Sequence, residues 1–206
     1  MPNLLSQLNK DERARLLDEL NYMNMEEIRG FCTARGISYR ILAEYPNGKV
    51  KATKDTDRKP VILARIRDYL KTGNVGSPTL IPAKIVRDDN PPTNPGPHER
   101  MYYRWYSKGH SGILRTLREL TEDQFRDGAV ARVLAMNFWS RGEAPTLEQF
   151  ARRWAKANAK QARLLTAEYA YLTDLQRGQA GSDWKSVRKT KAASALRTLK
   201  RVLQGT

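Results

Sequence analysis

The chain is poor in the residues that build most reactive centres: it has one cysteine and two histidines in 206 residues. The single cysteine, Cys32, excludes a disulfide framework within the chain, and no Cys/His spacing of the metal-binding kind occurs. His98 and His110 both fall in loop or helix-end contexts. No glycine-rich phosphate loop opens a helix, and no nucleophile elbow is present. Asp88 and Asp89 read as solvated loop acids rather than ion ligands. The expectation is a non-enzymatic protein with no cofactor and no metal. Long apolar runs are missing too; none approaches the roughly 20 residues of a membrane span. Met1–Lys10 leads straight into a charged helix rather than an apolar core segment, so no secretory signal is expected. A lone thiol on an apolar helix face reads as a core residue, and cysteine this scarce points to the reducing cytoplasm.

Cations are what the chain has in excess. Lys plus Arg number 37 against 22 Asp plus Glu, a net +15. That exceeds what solubility needs, and the usual partner of such a surface is a polyanion. Hydrophobic residues make up 40% of the chain, enough for a real core. By sequence count, Met1–Lys71 carries +4, Thr72–Pro97 zero and His98–Thr206 +11. The last segment from Asp183 is the extreme case, with Lys185, Arg188, Lys189, Lys191, Arg197, Lys200 and Arg201 against Asp183 alone. Its apolar residues Trp184, Val187, Leu196, Leu199, Val202 and Leu203 can bury one side and leave a basic outer face. A basic amphipathic helix of this kind also suits a membrane surface, as a lesser alternative.

Residues 1–72 read as one module. Asn9–Asn21 forms a helix capped by Asn9 or Ser6, with Leu16, Leu17 and Leu20 inward. Asn24 caps a second helix whose Met25, Ile28, Phe31 and Cys32 share a face, with Glu26 and Glu27 in the dipole-favoured first turn. Gly36 supplies the left-handed stop. Tyr39, Ile41 and Ala43 alternate with Arg40, Leu42 and Glu44, and a second strand follows Asn47-Gly48, the pair that marks a hairpin tip. Lys49 and Lys51 fall on its solvent side. A third helix begins near Pro60, with Asp57 as cap; Val61, Ile62, Ile66 and Leu70 are its apolar side and Arg58, Lys59, Arg65, Arg67 and Lys71 its wet side.

Two of these segments resemble the SAP module, a small helix–loop–helix DNA-binding motif. The first ends in Arg35-Gly36-Ile37, the family's Arg-Gly-hydrophobic close. The second carries Lys59, Ile62, Leu63, Arg65 and Ile66 in its Lys-x-x-Leu-hydrophobic-x-Arg-Leu run. The intervening Ser38–Arg58 is much longer than the family's usual connection, and no glycine closely precedes Lys59. The resemblance covers about a quarter of the chain and implies binding to double-stranded DNA, by shape or A/T preference rather than a strict code. The hairpin would then be a wing touching phosphates.

Residues 73–97 are rich in proline and glycine and read as a semi-extended linker, either a tether or a connection lying across a compact surface. Residues 98–206 read as a basic all-α domain of five or six helices. Glu99–Ser107 is a short aromatic helix, and Ile113–Leu120 follows. Thr121 with Gln124 forms a capping box opening a helix to Trp139. Thr146–Ala157, Lys160–Arg177 and Ser182–Leu203 complete the set. Tyr102, Tyr103, Trp105 and Tyr106, set among Arg100, Arg104 and Lys108, suit core packing first and base stacking second.

The fold class expected is therefore mainly α: a SAP-like helical N-terminal module with a small β-hairpin insertion, linked to an all-α bundle. The function expected is non-enzymatic DNA binding through phosphate contacts. The residues expected to carry it are Lys49, Lys51, Arg58, Lys59, Arg65, Lys185, Arg188, Lys189 and Lys191. The partner is nucleic acid, with duplex DNA first. RNA or another single-stranded nucleic acid is the alternative partner. A second alternative makes the chain an adaptor for an acidic protein.

Overall fold

A computed structural model describes residues 3–106, 110–163 and 181–204, with side chains for all of these except 160–163 and 181–185. The chain is mainly helical with a small three-stranded sheet. It divides into two compact units. The first comprises Met1–Ile41, Lys54–Pro78 and Arg177–Thr206, and the second Leu42–Thr53 and Thr79–Gln176.

In the first unit, helix α1 (Lys10–Glu19) starts at a complete capping box: the Asn9 side chain accepts from Glu12 N–H, and Glu12 accepts from Asn9 N–H. Helix α2 (Met25–Arg35) repeats the device with Asn24 and Glu27 and ends at Gly36, whose φ of 68° is the left-handed value that favours glycine. The hairpin of β1 (Arg40–Glu44) and β2 (Val50–Thr56) follows; its Leu42–Thr53 portion, with the tip at Asn47-Gly48, belongs to the second unit. Helix α3 (Lys59–Thr72) has Pro60 in its first turn. Asp57 does not cap it. Arg58 occupies the capping position, and no side chain caps the helix. The reason is a stronger bond elsewhere: the Asp57 carboxylate accepts from Arg65 Nη1 at 2.6 Å, with both side chains largely buried.

Among the described residues the last helix, α7 (Gly181–Gln204), belongs to this first unit and not to a C-terminal bundle. Its small and branched residues Ala192, Ala195, Leu199 and Val202 join one core with Leu16, Leu20, Ile28, Ile62 and Ile66. Acids of α1 and α2 meet its cations. Arg188 Nη1 lies 3.5 Å from Glu27, Lys191 Nζ 3.3 Å from Asp18, and Arg201 Nη2 2.6 Å from Glu12. A short helix hairpin has little apolar surface of its own, so a further amphipathic helix completes its core. The expected division at residues 72 and 98 is corrected accordingly. So is the charge map: the first unit holds 20 basic and 10 acidic residues, and the second 17 and 12.

Cys32 lies in that core, fully shielded from solvent. Burial pushes its thiol up to about 11 from the ordinary 9.0. The folded value is the raised one, so the thiol's contribution to stability is intact below pH 9 and is lost as pH climbs toward about 11. An alkylating reagent at neutral pH should label the folded chain at least ~100-fold more slowly than the denatured chain. Equal rates would contradict this burial.

The second unit contains β3 (Leu80–Ile81), which pairs in parallel with β1 through Leu42–Leu80 and Ala43–Ile81, giving the sheet order β2-β1-β3. Residues 79–97, expected as part of a linker, are thus built into this unit. Ile81, Ile85 and Val86 are buried, and Thr116 donates to Pro95 O at 2.8 Å. Gly112 opens the contact: a β-carbon there would stand 2.1 Å from Thr93 O. The unit is consequently not all-α.

Helices α4 (Ser111–Glu119), α5 (Ala129–Ser140) and α6 (Leu147–Arg163) enclose an aromatic core in which Phe125 meets Trp154 at 5.0 Å and Phe150 at 6.4 Å between ring centroids. Thr121 does not open a helix. Its hydroxyl donates back to Leu117 O, and Glu122 and Asp123 take positive φ, which ends α4; α5 begins only after Gly128. The capping box of this unit is Thr146 with Gln149, at the start of α6. Helix α6 runs through Ala157 to Arg163 without the expected break, and the remainder of the expected Lys160–Arg177 helix lies outside the described residues. The 99–106 stretch is turn and bridge rather than helix, because its backbone serves the core: Met101 N–H donates to Pro145 O and Trp139 Nε1 donates to Met101 O. Tyr103 and Trp105 are buried, so both serve packing.

Candidate nucleic-acid interface

The nine residues expected to meet phosphate separate into three groups. Lys59, Arg65, Arg188 and Lys191 work inside the first unit. Lys59 Nζ donates to Asn21 O at 2.5 Å and Met23 O at 2.6 Å, tying the start of α3 to the α1–α2 turn. Arg65 donates to Asp57 and to Ser38 O at 2.9 Å. Arg188 reaches Glu27 and Tyr22 O. Lys191 sits 4.2 Å from the Tyr22 ring centroid while donating to Tyr22 Oη and Asp18. A long cation on the wet side of a helix wheel can still bend its head onto a neighbouring carbonyl or acid.

The Lys59 ammonium is held below its ordinary pKa, first by burial and then by Arg188, against an opposing pull from Glu27. Lys59→Met should cost about 1–3 kcal/mol of stability by stranding two carbonyls. Urea unfolding reads this directly; an unchanged midpoint would remove Lys59 from the scaffold.

Lys49, Lys51 and Lys189 are exposed, with Lys51 lying 5.7 Å from the Tyr45 ring centroid. Lys189 shares one exposed stripe of α7 with Arg197 and Lys200. Arg58 is half-buried at the head of α3, and the Lys185 side chain lies outside the described residues.

The folded chain brings together a group that sequence reasoning missed. Arg29, on the solvent side of α2, donates to Thr56 Oγ1 at 3.4 Å, which sets its guanidinium beside the approach to α3. Arg40, the first residue of β1, is exposed. Both stand near Tyr39, whose phenol is held below its ordinary pKa first by a hydrogen bond with Thr33 and then by Arg40 and Arg29. Tyr39 O accepts from Asp57 N–H, so the same turn fixes the entry to α3. The result is a surface of Arg29, Arg40, Thr33, Tyr39 and Thr56 next to the N-terminus of α3, which no side chain caps. Such a surface suits a phosphodiester oxygen: guanidinium forks and hydroxyls donate, and the helix dipole adds to them. Asp57, the buried acid at this point, is already engaged by Arg65. Arg29 carries no sequence signal beyond being an exposed cation on α2. Nothing local marked Arg40.

Fold and surface together define a mainly helical two-unit protein with the larger part of its cationic excess, +10 of +15, on the first unit. No family model, no curated protein and no solved structure matches the chain. Among the described residues, no helix is long and apolar enough to cross a membrane.

Proposed function

We propose that this is a non-enzymatic DNA-binding protein that grips the phosphate backbone of duplex DNA through its first unit. In this reading α2 and α3 act as a SAP-like pair, with the β-hairpin inserted between them and α7 completing their core. The observation that carries the proposal is the Arg29–Arg40 surface beside the uncapped start of α3. The concentration of net charge on the same unit supports it. Phosphate contacts from guanidinium groups and a helix N-terminus fix position on a duplex without reading bases, so the binding proposed is tolerant of sequence. Lys189 with Arg197 and Lys200 on α7 supply further cations of the same unit to a polyanion; Lys49 and Lys51, on the hairpin, belong to the second unit and are not part of this surface.

A gel-shift titration of duplex DNA against single-stranded RNA at matched salt tests this reading. Duplex should bind at least about tenfold more tightly. Preference for RNA, or absence of binding to either, would overturn it, and the latter would favour an adaptor for an acidic protein.

A further inference from the structure

The second unit holds an open cleft of about 470 Å³ that the duplex reading leaves unused. Lys84, from the turn after β3, and Arg100 face it with Tyr102 and Gln149, and Ile85, Phe138 and Pro145 supply apolar wall. This size lies within the roughly 300–1,000 Å³ of small-molecule sites, and an apolar cleft with a few convergent polar groups is their usual form.

The charges in it are unequal. Glu143 is the one acid among the lining residues, and both its oxygens are taken by Arg141, through Nε at 2.8 Å and Nη2 at 3.1 Å. Lys84 and Arg153 act on the same carboxylate, so the local balance stays positive. Arg100 spends one nitrogen on Ala144 O at 3.0 Å; the guanidinium keeps further donors. The cleft is also built around Lys84. Gly142 takes φ of 70°, and a β-carbon there would fall 2.9 Å from Pro82 and 3.2 Å from Lys84 Cε. The backbone of the α5–α6 connection therefore passes close enough to the lysine stem to brace it.

Tyr102 gives the cleft an aromatic edge. Arg87 stacks on its ring at 4.5 Å from the centroid and donates to its hydroxyl at 3.1 Å, while Trp105 packs edge-on at 5.0 Å. The ring is therefore fixed in place and stays half-exposed. Cations that take a phosphate, beside a fixed ring and an apolar wall that take a planar base, match one ligand chemistry.

We propose that this cleft binds a nucleoside monophosphate moiety, its phosphate on Lys84 and Arg100 and its base against Tyr102 and the Ile85–Pro145 wall. The same moiety occurs as a free nucleotide or as one unit of a single strand.

Calorimetric titration of the full chain with AMP, adenosine and inorganic phosphate tests it. AMP should bind saturably at one site, about tenfold or more tighter than either fragment, because each fragment makes only half the contacts. Lys84→Gln should weaken AMP at least about fivefold with an unchanged melting temperature, whereas Arg29→Ala should leave AMP binding intact. Competition by a short oligoadenylate would assign the moiety to a strand, and its failure to compete would assign it to the free nucleotide; both support the site. AMP binding no tighter than phosphate, binding indifferent to Lys84→Gln, or no saturation in the millimolar range would overturn the proposal. The duplex-DNA reading stands or falls separately, since its variants lie in the other unit.

Discussion

Asp57→Ala is expected to cost the first unit about 3–5 kcal/mol, enough to unfold a domain of ordinary stability at moderate temperature. Asp57 is nearly inaccessible, and it receives Arg65 Nη1 at 2.6 Å. Removing the acid leaves a largely buried guanidinium without its counter-charge, and the desolvation already suffered by that cation is no longer offset. The same guanidinium holds Ser38 O, so the damage spreads to the turn joining α2 to β1. Arg65→Ala should be similarly severe. The double replacement Asp57→Leu with Arg65→Met should recover much of the loss, because an apolar pair of comparable volume strands no charge. Urea unfolding of the single and double variants measures this. A single-variant loss below about 1 kcal/mol would mean that the pair behaves as a solvated surface bridge. Any fall in DNA affinity of Arg65→Ala should then track the fraction unfolded.

Reversing both charges of the surface pair, Arg29→Glu with Arg40→Glu, should act in the opposite way. Both residues are exposed, so the melting temperature should stay within a few degrees of wild type. Duplex affinity should fall by about tenfold or more for each reversed charge at ~100 mM salt, across all sequences alike. The slope of log affinity against log salt should flatten by about 0.9 for each phosphate contact removed. Fluorescence anisotropy with two unrelated duplexes separates the outcomes. Equal affinity of variant and wild type would remove the start of α3 from the interface. Loss confined to one duplex would point instead to base contacts.

Signals confined to a turn or two of chain were legible in the sequence. Asn24 and Glu27 cap α2, and Gly36 ends it, because each bond closes within four residues. Asn47-Gly48 marks the hairpin tip for the same reason. What the sequence hid depends on partners far along the chain. The apolar stripe of α7 suits any core, and Glu12, Asp18 and Glu27, which single out its neighbours, lie more than 150 residues away in sequence. Asp57 reads as a cap until Arg65 takes its carboxylate, and Thr121 reads as a helix start until its hydroxyl turns back to Leu117 O. Lys59 and Arg65 show how a helix wheel misleads: it assigns a face to the α-carbon, whereas a long side chain can reach past that face. Arg29 and Arg40 had no signature, since an exposed cation leaves no mark on periodicity; only the fold brings Arg29 to the tyrosine that Arg40 follows in the chain.

The most direct test of the electrostatic claim is the affinity of the full chain for a duplex of arbitrary sequence at two ionic strengths, ~50 and ~200 mM. Binding that falls along a log–log slope of about −2 to −4 is the predicted result, the mark of a few phosphates giving up their condensed counterions. Affinity that is absent at the lower salt, or that stays level between the two, would contradict the account.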